Sequence, residues 1–142
     1  LSFLSNDNVL FIGLHLVTGP ITDEDEWTTL QHDNLRFMYG EINSSKDTFR
    51  AIVLLGNARP GPQQEAFFQG VLDMVDRNTN TLNVNVPVAY IHANSGGDDG
   101  KVEEYIPYPQ HPKLMGIQIE DGGRNPPLRI HVGFGERPFR VG

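Results

Sequence analysis

Arg59-Pro-Gly-Pro-Gln-Gln-Glu-Ala-Phe-Phe-Gln-Gly-Val-Leu-Asp-Met-Val-Asp-Arg77, then Asn78-Thr-Asn-Thr81, then Leu82-Asn-Val-Asn-Val-Pro-Val-Ala-Tyr-Ile-His92: the fold turns on how this stretch is read. It reads as a helix, a polar turn and a long strand. Phe67, Phe68, Val71, Leu72 and Val75 form one stripe of a helix, and Gln63, Gln64, Gln69, Asp73 and Asp76 fill the remaining positions. As a strand, the same segment would put Gln69 and Asp73 on the face of Phe67, Val71 and Val75, which argues against extended chain. Pro62 suits a first helical turn, where its missing N–H removes no bond. Glu65 and Arg77 complement the two ends of the macrodipole. Gly70 is the weak position, at about 1 kcal/mol relative to Ala. The spacing therefore predicts one amphipathic helix over 62–77.

Outward from that helix, most of the chain reads as strands. Val9 to Val17 is nearly continuous apolar sequence, as in a strand buried on both faces. Thr22, with Asp25 three residues later, has the spacing of a capping box, and a single helical turn is expected there. Leu35 to Ile42 and Thr48 to Leu55 read as a hairpin across the polar turn Asn43 to Asp47. Ala51 to Leu55 is apolar on both faces and so expected at a sheet centre. Leu82, Val84, Val86 and Val88 alternate with asparagines, and Pro87 places an edge or a bulge there. Lys101–Tyr105, Leu114–Ile119, Leu128–Phe134 and Pro138–Val141 add further strands. The expected fold is mainly β, bordering on α+β: an antiparallel sandwich or curved sheet of about seven to eight strands with one helix. A doubly wound α/β fold would require more helices.

The chain has 142 residues, a formal net charge of −7 and no cysteine. Residues 1–142 are read as a single domain. The opening Leu1 suggests one excised from a longer polypeptide. The acidic balance argues against a duplex nucleic-acid binder. The lack of cysteine excludes a disulfide scaffold, a zinc–thiolate site and a cysteine nucleophile. No apolar run has the length of a membrane span, so no membrane insertion is expected.

Four stretches bear on function. Tyr105-Ile-Pro-Tyr-Pro-Gln-His-Pro112 would, as polyproline II, align Tyr105, Tyr108 and His111 on one edge. Stiff amphipathic rings of this kind stack on sugars or clasp a peptide. Asp76, Asn78 and Asn80 carry oxygen at alternate positions, and Asp73 precedes them by one turn. That spacing can hold calcium, although the glycine and the distal glutamate of a calcium loop are missing. His92 with Ser95 and Asp98 offers a base, a nucleophile and a carboxylate, within a glycine-rich loop lacking the nucleophile-elbow pattern. The prolines at 60 and 62 remove donors from the loop before the helix and argue against phosphate binding there.

These readings favour a non-enzymatic recognition or structural domain of a larger surface, virion or secreted assembly. Its partner would be a protein or a glycan, bound through loops and the Tyr/Pro-rich edge. No cofactor is expected beyond calcium. The alternative is a small hydrolase or isomerase built on His92 and nearby carboxylates. Arg124, Arg129, Arg137 and Arg140 could pair with the acidic run Asp23 to Glu26 of a second copy, which would give a homo-oligomer.

Overall fold

The computed structural model describes residues 2–15, 23–45, 48–57, 59–76, 85–94, 101–120, 129–133 and 137–141. Among the described residues are eight strands in two sheets and two α-helices. In chain order they are β1 (Ser2–Leu4), β2 (Val9–Gly13), α1 (Glu24–Ser45), β3 (Ala51–Gly56), α2 (Glu65–Val75), β4 (Val88–Asn94), β5 (Val102–Tyr105), β6 (Leu114–Glu120), β7 (Ile130–Val132) and β8 (Phe139–Val141). The larger sheet has the order β1-β2-β3-β4-β6-β5. Its inner strands β2, β3, β4 and β6 run parallel, and β1 and β5 flank them antiparallel. β7 and β8 form an antiparallel hairpin.

The sheet-rich character and the number of strands match expectation. The antiparallel sandwich does not, because the inner pairings are parallel. Parallel neighbours need long crossovers. One of them, α1, occupies the place of the expected hairpin, so Leu35–Ile42 is helical and only Ala51–Gly56 is strand. The reason lies in the inward stripe of α1, which mixes Trp27, Leu35, Met38 and Ile42 with polar Gln31, Asn34 and Glu41. Only Met38 and Ile42 are fully buried. Two of the polar members find partners: Asn34 Nδ2 donates to His15 O, just past β2, at 3.0 Å, and Ser2 Oγ on β1 donates to Glu41 at 2.5 Å. An apolar period of 3.6 is therefore hardly visible in the sequence. Asp23 caps the helix, its Oδ1 accepting from Glu26 N–H at 3.0 Å. Thr22, the expected cap, lies outside the described residues.

α2 follows the reading closely. Pro62–Gln64 forms a 3-10 turn, and Phe67, Phe68, Val71 and Val75 are buried along the helix. Gly70 has a packing role. A Cβ there would lie 3.0 Å from the Leu35 side chain, so the missing methyl lets α1 approach α2.

The steps β2→β3 and β3→β4 move in one direction across the sheet. Crossovers of one hand then place both helices on one face. That face is a single core in which Met38, Ile42, Phe67, Phe68 and Val71 meet Leu10, Ile52, Leu54, Val88, Tyr90 and Leu114. The opposite face is covered by the β7–β8 hairpin, whose Phe139 is fully buried against Val9, Val53, Ala89, Met115 and Ile117. Pro87 ends up just before β4, where its carbonyl accepts from Ile52 N–H at 3.0 Å and its missing donor does no harm.

The β4→β6 connection has no helix among the described residues. The segment 106–113 returns from β5 to the start of β6 on the helix side. It does so through two tight turns, His111 N–H to Tyr108 O at 2.8 Å and Leu114 N–H to His111 O at 3.2 Å. Tyr108 joins the helix-side core, and its hydroxyl donates to Gly61 O at 2.7 Å.

Two substitutions in α1 are expected to stabilise the fold. A Cβ added at Gly40 would have no neighbouring atom within 4 Å, so Gly40→Ala should add about 1 kcal/mol from helix propensity alone. The Gln31 side-chain amide is buried with neither its nitrogen nor its oxygen hydrogen-bonded. Gln31→Met should gain about 1–2 kcal/mol by removing an unsatisfied group of similar length. Urea midpoints at constant m-value measure both.

Candidate functional site

Two register rows cross the helix-facing side of the larger sheet near the carboxyl ends of its parallel strands. One row is Leu54, Tyr90, Gly116 and Tyr105, and the next is Gly56, His92, Gln118 and Glu103. In each row a glycine makes room for a ring on an adjacent strand. A Cβ on Gly56 would fall inside the Tyr90 phenol, and one on Gly116 would come within 2.5 Å of Tyr105 Cζ. The carboxyl ends of parallel strands are where open α/β sheets usually bind ligands.

His92 is 2% exposed and sits at the centre of these rows. Its Nδ1 lies 3.0 Å from Ala93 O, which can only accept, so Nδ1 carries the proton. Nε2 is then a free lone pair, and the Tyr105 hydroxyl donates to it. Tyr90 stacks on the imidazole with centroids 5.4 Å apart, and Tyr105 meets it edge-on. The Arg59 guanidinium covers the Tyr105 ring at 4.2 Å. Its Nη1 donates to Gln118 Oε1 at 2.5 Å and lies 3.7 Å from Glu103 Oε2.

Burial holds the His92 pKa below its ordinary value. The Ala93 carbonyl pulls the other way, Arg59 lowers the pKa further and Glu103 opposes that. The Tyr105 pKa is pushed up to about 12, chiefly by burial. The pair is thus a neutral imidazole and a protonated phenol joined by one hydrogen bond. Such a pair can relay a proton, but both ring nitrogens are engaged and the imidazole is covered. Ser95 and Asp98, the other members of the catalytic reading, lie outside the described residues.

A larger concavity opens at the other end of the sheet. Arg50, Pro87 and Lys113 immediately precede β3, β4 and β6, and Ile106 follows β5, so all four stand at the amino ends of the parallel strands. Together with the hairpin they surround a cleft of about 820 Å³. Met115 and Phe139 form its apolar floor. Arg50 secures one wall, with Nε donating to Asp7 O at 2.8 Å and Nη1 to Val132 O at 3.1 Å. Glu104 secures another, accepting from Val141 N–H at 2.6 Å and from Arg137 Nη2 at 3.0 Å. A smaller cavity of about 230 Å³ adjoins it across Pro112 and Lys113 and is lined by Asp73, Asp76, Gln110 and His111.

The expected polyproline edge is not formed. The two turns keep Tyr108 and His111 in edge contact, with centroids 6.1 Å apart, and turn Tyr105 towards His92 instead. Tyr105 faces His92 and Arg59 while also lining the larger cleft. Tyr108 is 5% exposed against Phe68, and burial raises its pKa. His111 is half-buried, 3.6 Å from Glu65, and lines the smaller cavity. Neighbouring Gln110 also bonds Glu65. Of the calcium reading, Asp73 accepts from Gln69 Nε2 at 2.8 Å, and Asp76 follows the helix in extended conformation. Asn78 and Asn80 lie outside the described residues. No group of three or more His, Cys, Asp or Glu side chains suited to a metal occurs among the described residues.

Local sequence patterns do not reveal Arg59 and Gln118, which are distant in the chain and meet only through the strand order. Gly56 and Gly116 do carry a signal, because a glycine in an apolar strand marks a close approach. No protein-family model, curated protein or solved structure matches the chain.

Two outcomes are expected at this cluster. Gly116→Ala should displace the Tyr105 ring and destabilise the fold by about 1–3 kcal/mol through overpacking, read as a lowered Tm. The His92 shift contributes to the loss of stability in acid. With a depressed folded pKa, the contribution is complete above 6.5 and is lost as the pH falls from 6.5 through the folded value. The slope is at most about 1.4 kcal/mol per pH unit. Ring-resolved NMR titration should place the His92 midpoint below 6.5; a midpoint at or above it contradicts the neutral tautomer.

Proposed function

We propose that this chain is a non-catalytic recognition domain of a larger assembly, and that it binds a segment of a protein partner in the cleft between residues 105–113 and the β7–β8 hairpin. The observation that carries this reading is the cleft itself. Its volume is in the range of ligand sites, its floor is apolar, and two of its polar wall residues, Arg50 and Glu104, are held by hydrogen bonds to surrounding backbone. Ile106, at 44% exposure, stands at its mouth. A large aliphatic side chain so placed is an anchor for an apolar contact.

A glycan is the weaker partner. Sugar stacking needs an open aromatic face, and Tyr105 is covered by Arg59 while Tyr108 is buried. The hydrolase or isomerase reading has less support than binding, because His92 already accepts from Tyr105 and donates to Ala93. Calcium, proposed as a stabilising ion at Asp73 and Asp76, is a separate matter that does not enter the cleft reading.

The test is a displayed peptide library and a glycan array, each screened with the chain and with Ile106→Asp. Replacing an exposed side chain leaves the core intact, so the variant should fold. Peptides enriched by the chain and lost by the variant are expected. Enrichment indifferent to Ile106→Asp, or binding to glycans alone, overturns the reading.

A further inference from the structure

We infer that the cleft selects an acidic ligand: a short extended peptide carrying carboxylates beside an apolar side chain. This rests on the binding reading above and adds the charge of the partner. The chain as a whole has a formal net charge of −7. The charged residues lining the cleft reverse that sign, with Arg50, Lys113 and Arg137 against Glu104.

Glu104 leaves little free anionic capacity, since its two oxygens accept from Val141 N–H and from Arg137. Lys113 is exposed and has no ion-pair or hydrogen-bond partner among the described residues. Arg50 donates to the carbonyl oxygens of Asp7 and Val132, which take two of its five N–H donors without supplying a carboxylate. A cleft whose lining charges sum to a positive value over an apolar floor concentrates the opposite charge. Asp73 and Asp76 line the smaller cavity, so the ligand's carboxylates belong at the hairpin end and not there.

An extended peptide fits better than a compact acid, because the lining runs along the amino rim of the larger sheet, from Arg50 beside β3 past Pro87 and Lys113 to Glu104 and Tyr105 on β5. Leucine-like groups would meet Met115, Phe139 and Ile106, and carboxylates would meet Lys113 and Arg137.

The test uses three end-blocked hexapeptides that alternate leucine with glutamate, glutamine or lysine. Binding is followed by backbone-amide NMR shifts at low and high salt. The glutamate peptide is expected to bind roughly tenfold tighter than the glutamine peptide, with shifts centred on Ile106, Lys113 and Gly133. The lysine peptide should not bind. The advantage should shrink at high salt, and Lys113→Glu combined with Arg137→Gln should abolish it while sparing the glutamine peptide. Equal affinity for the glutamate and glutamine peptides overturns the acidic ligand and leaves the cleft as a binding site. No binding by any peptide up to about 1 mM overturns both. A dimer of the unliganded chain that dissociates with salt identifies the occupant as the acidic run 23–26 of a second copy, and likewise overturns the inference.

Discussion

Phe68 is the ring on which helix, sheet and crossover converge. It meets Phe67 at 5.2 Å on its own helix, Tyr90 at 5.2 Å on β4 and Tyr108 at 5.9 Å in the proline-rich return. Edge-to-face contacts of this kind add direction to burial, which has none. Removing the ring would unseat three elements together. Through Tyr90 the chain of contacts reaches His92 and Tyr105, and through Tyr108 it reaches Gly61 and the start of α2. The strand-end cluster and the start of α2 are therefore positioned from one point in the core.

The parallel centre of the sheet explains why so many features sit on its two ends. Every inner strand begins at one rim and finishes at the other. The amino-end rim collects Arg50, Pro87 and Lys113, and the carboxyl-end rim collects Gly56, His92 and Gln118. An antiparallel sheet would have interleaved these groups. The hairpin β7–β8 then closes the face that the helices leave open, and its contact with β5 through Glu104 turns a gap at the rim into a walled cleft.

What can be read in the sequence follows the strength of the apolar pattern. α2 is legible because its stripe is wholly apolar, and β3 is legible as a central strand because Ala51 to Leu54 leaves no polar face. α1 is not, because its inward stripe is interrupted by Gln31, Asn34 and Glu41, the last two bonded to His15 just past β2 and to Ser2 on β1. Reading α1 as a hairpin removes one crossover and makes the sheet look antiparallel. The candidate site is obscured in the same way. Tyr105, Tyr108 and His111 stand out in the sequence, but their common edge assumes an unbroken polyproline segment where the chain makes two turns. Arg59 follows β3 and meets Gln118 on β6 only once both strands have paired with β4, which no local spacing encodes.

The same topology constrains how the molecule assembles in time. β2 must find β3 across the whole of α1, as Val9 opposite Ala51 shows, whereas β5 and β6 are joined by a short return that brings Tyr105 opposite Gly116. Loop-closure entropy makes the distant pairing slow and the local one fast. Contact order thus favours early closure of the β5–β6 ribbon with its tyrosine seat, and it leaves the apolar strands β2 and β3 exposed for as long as α1 keeps their partners apart.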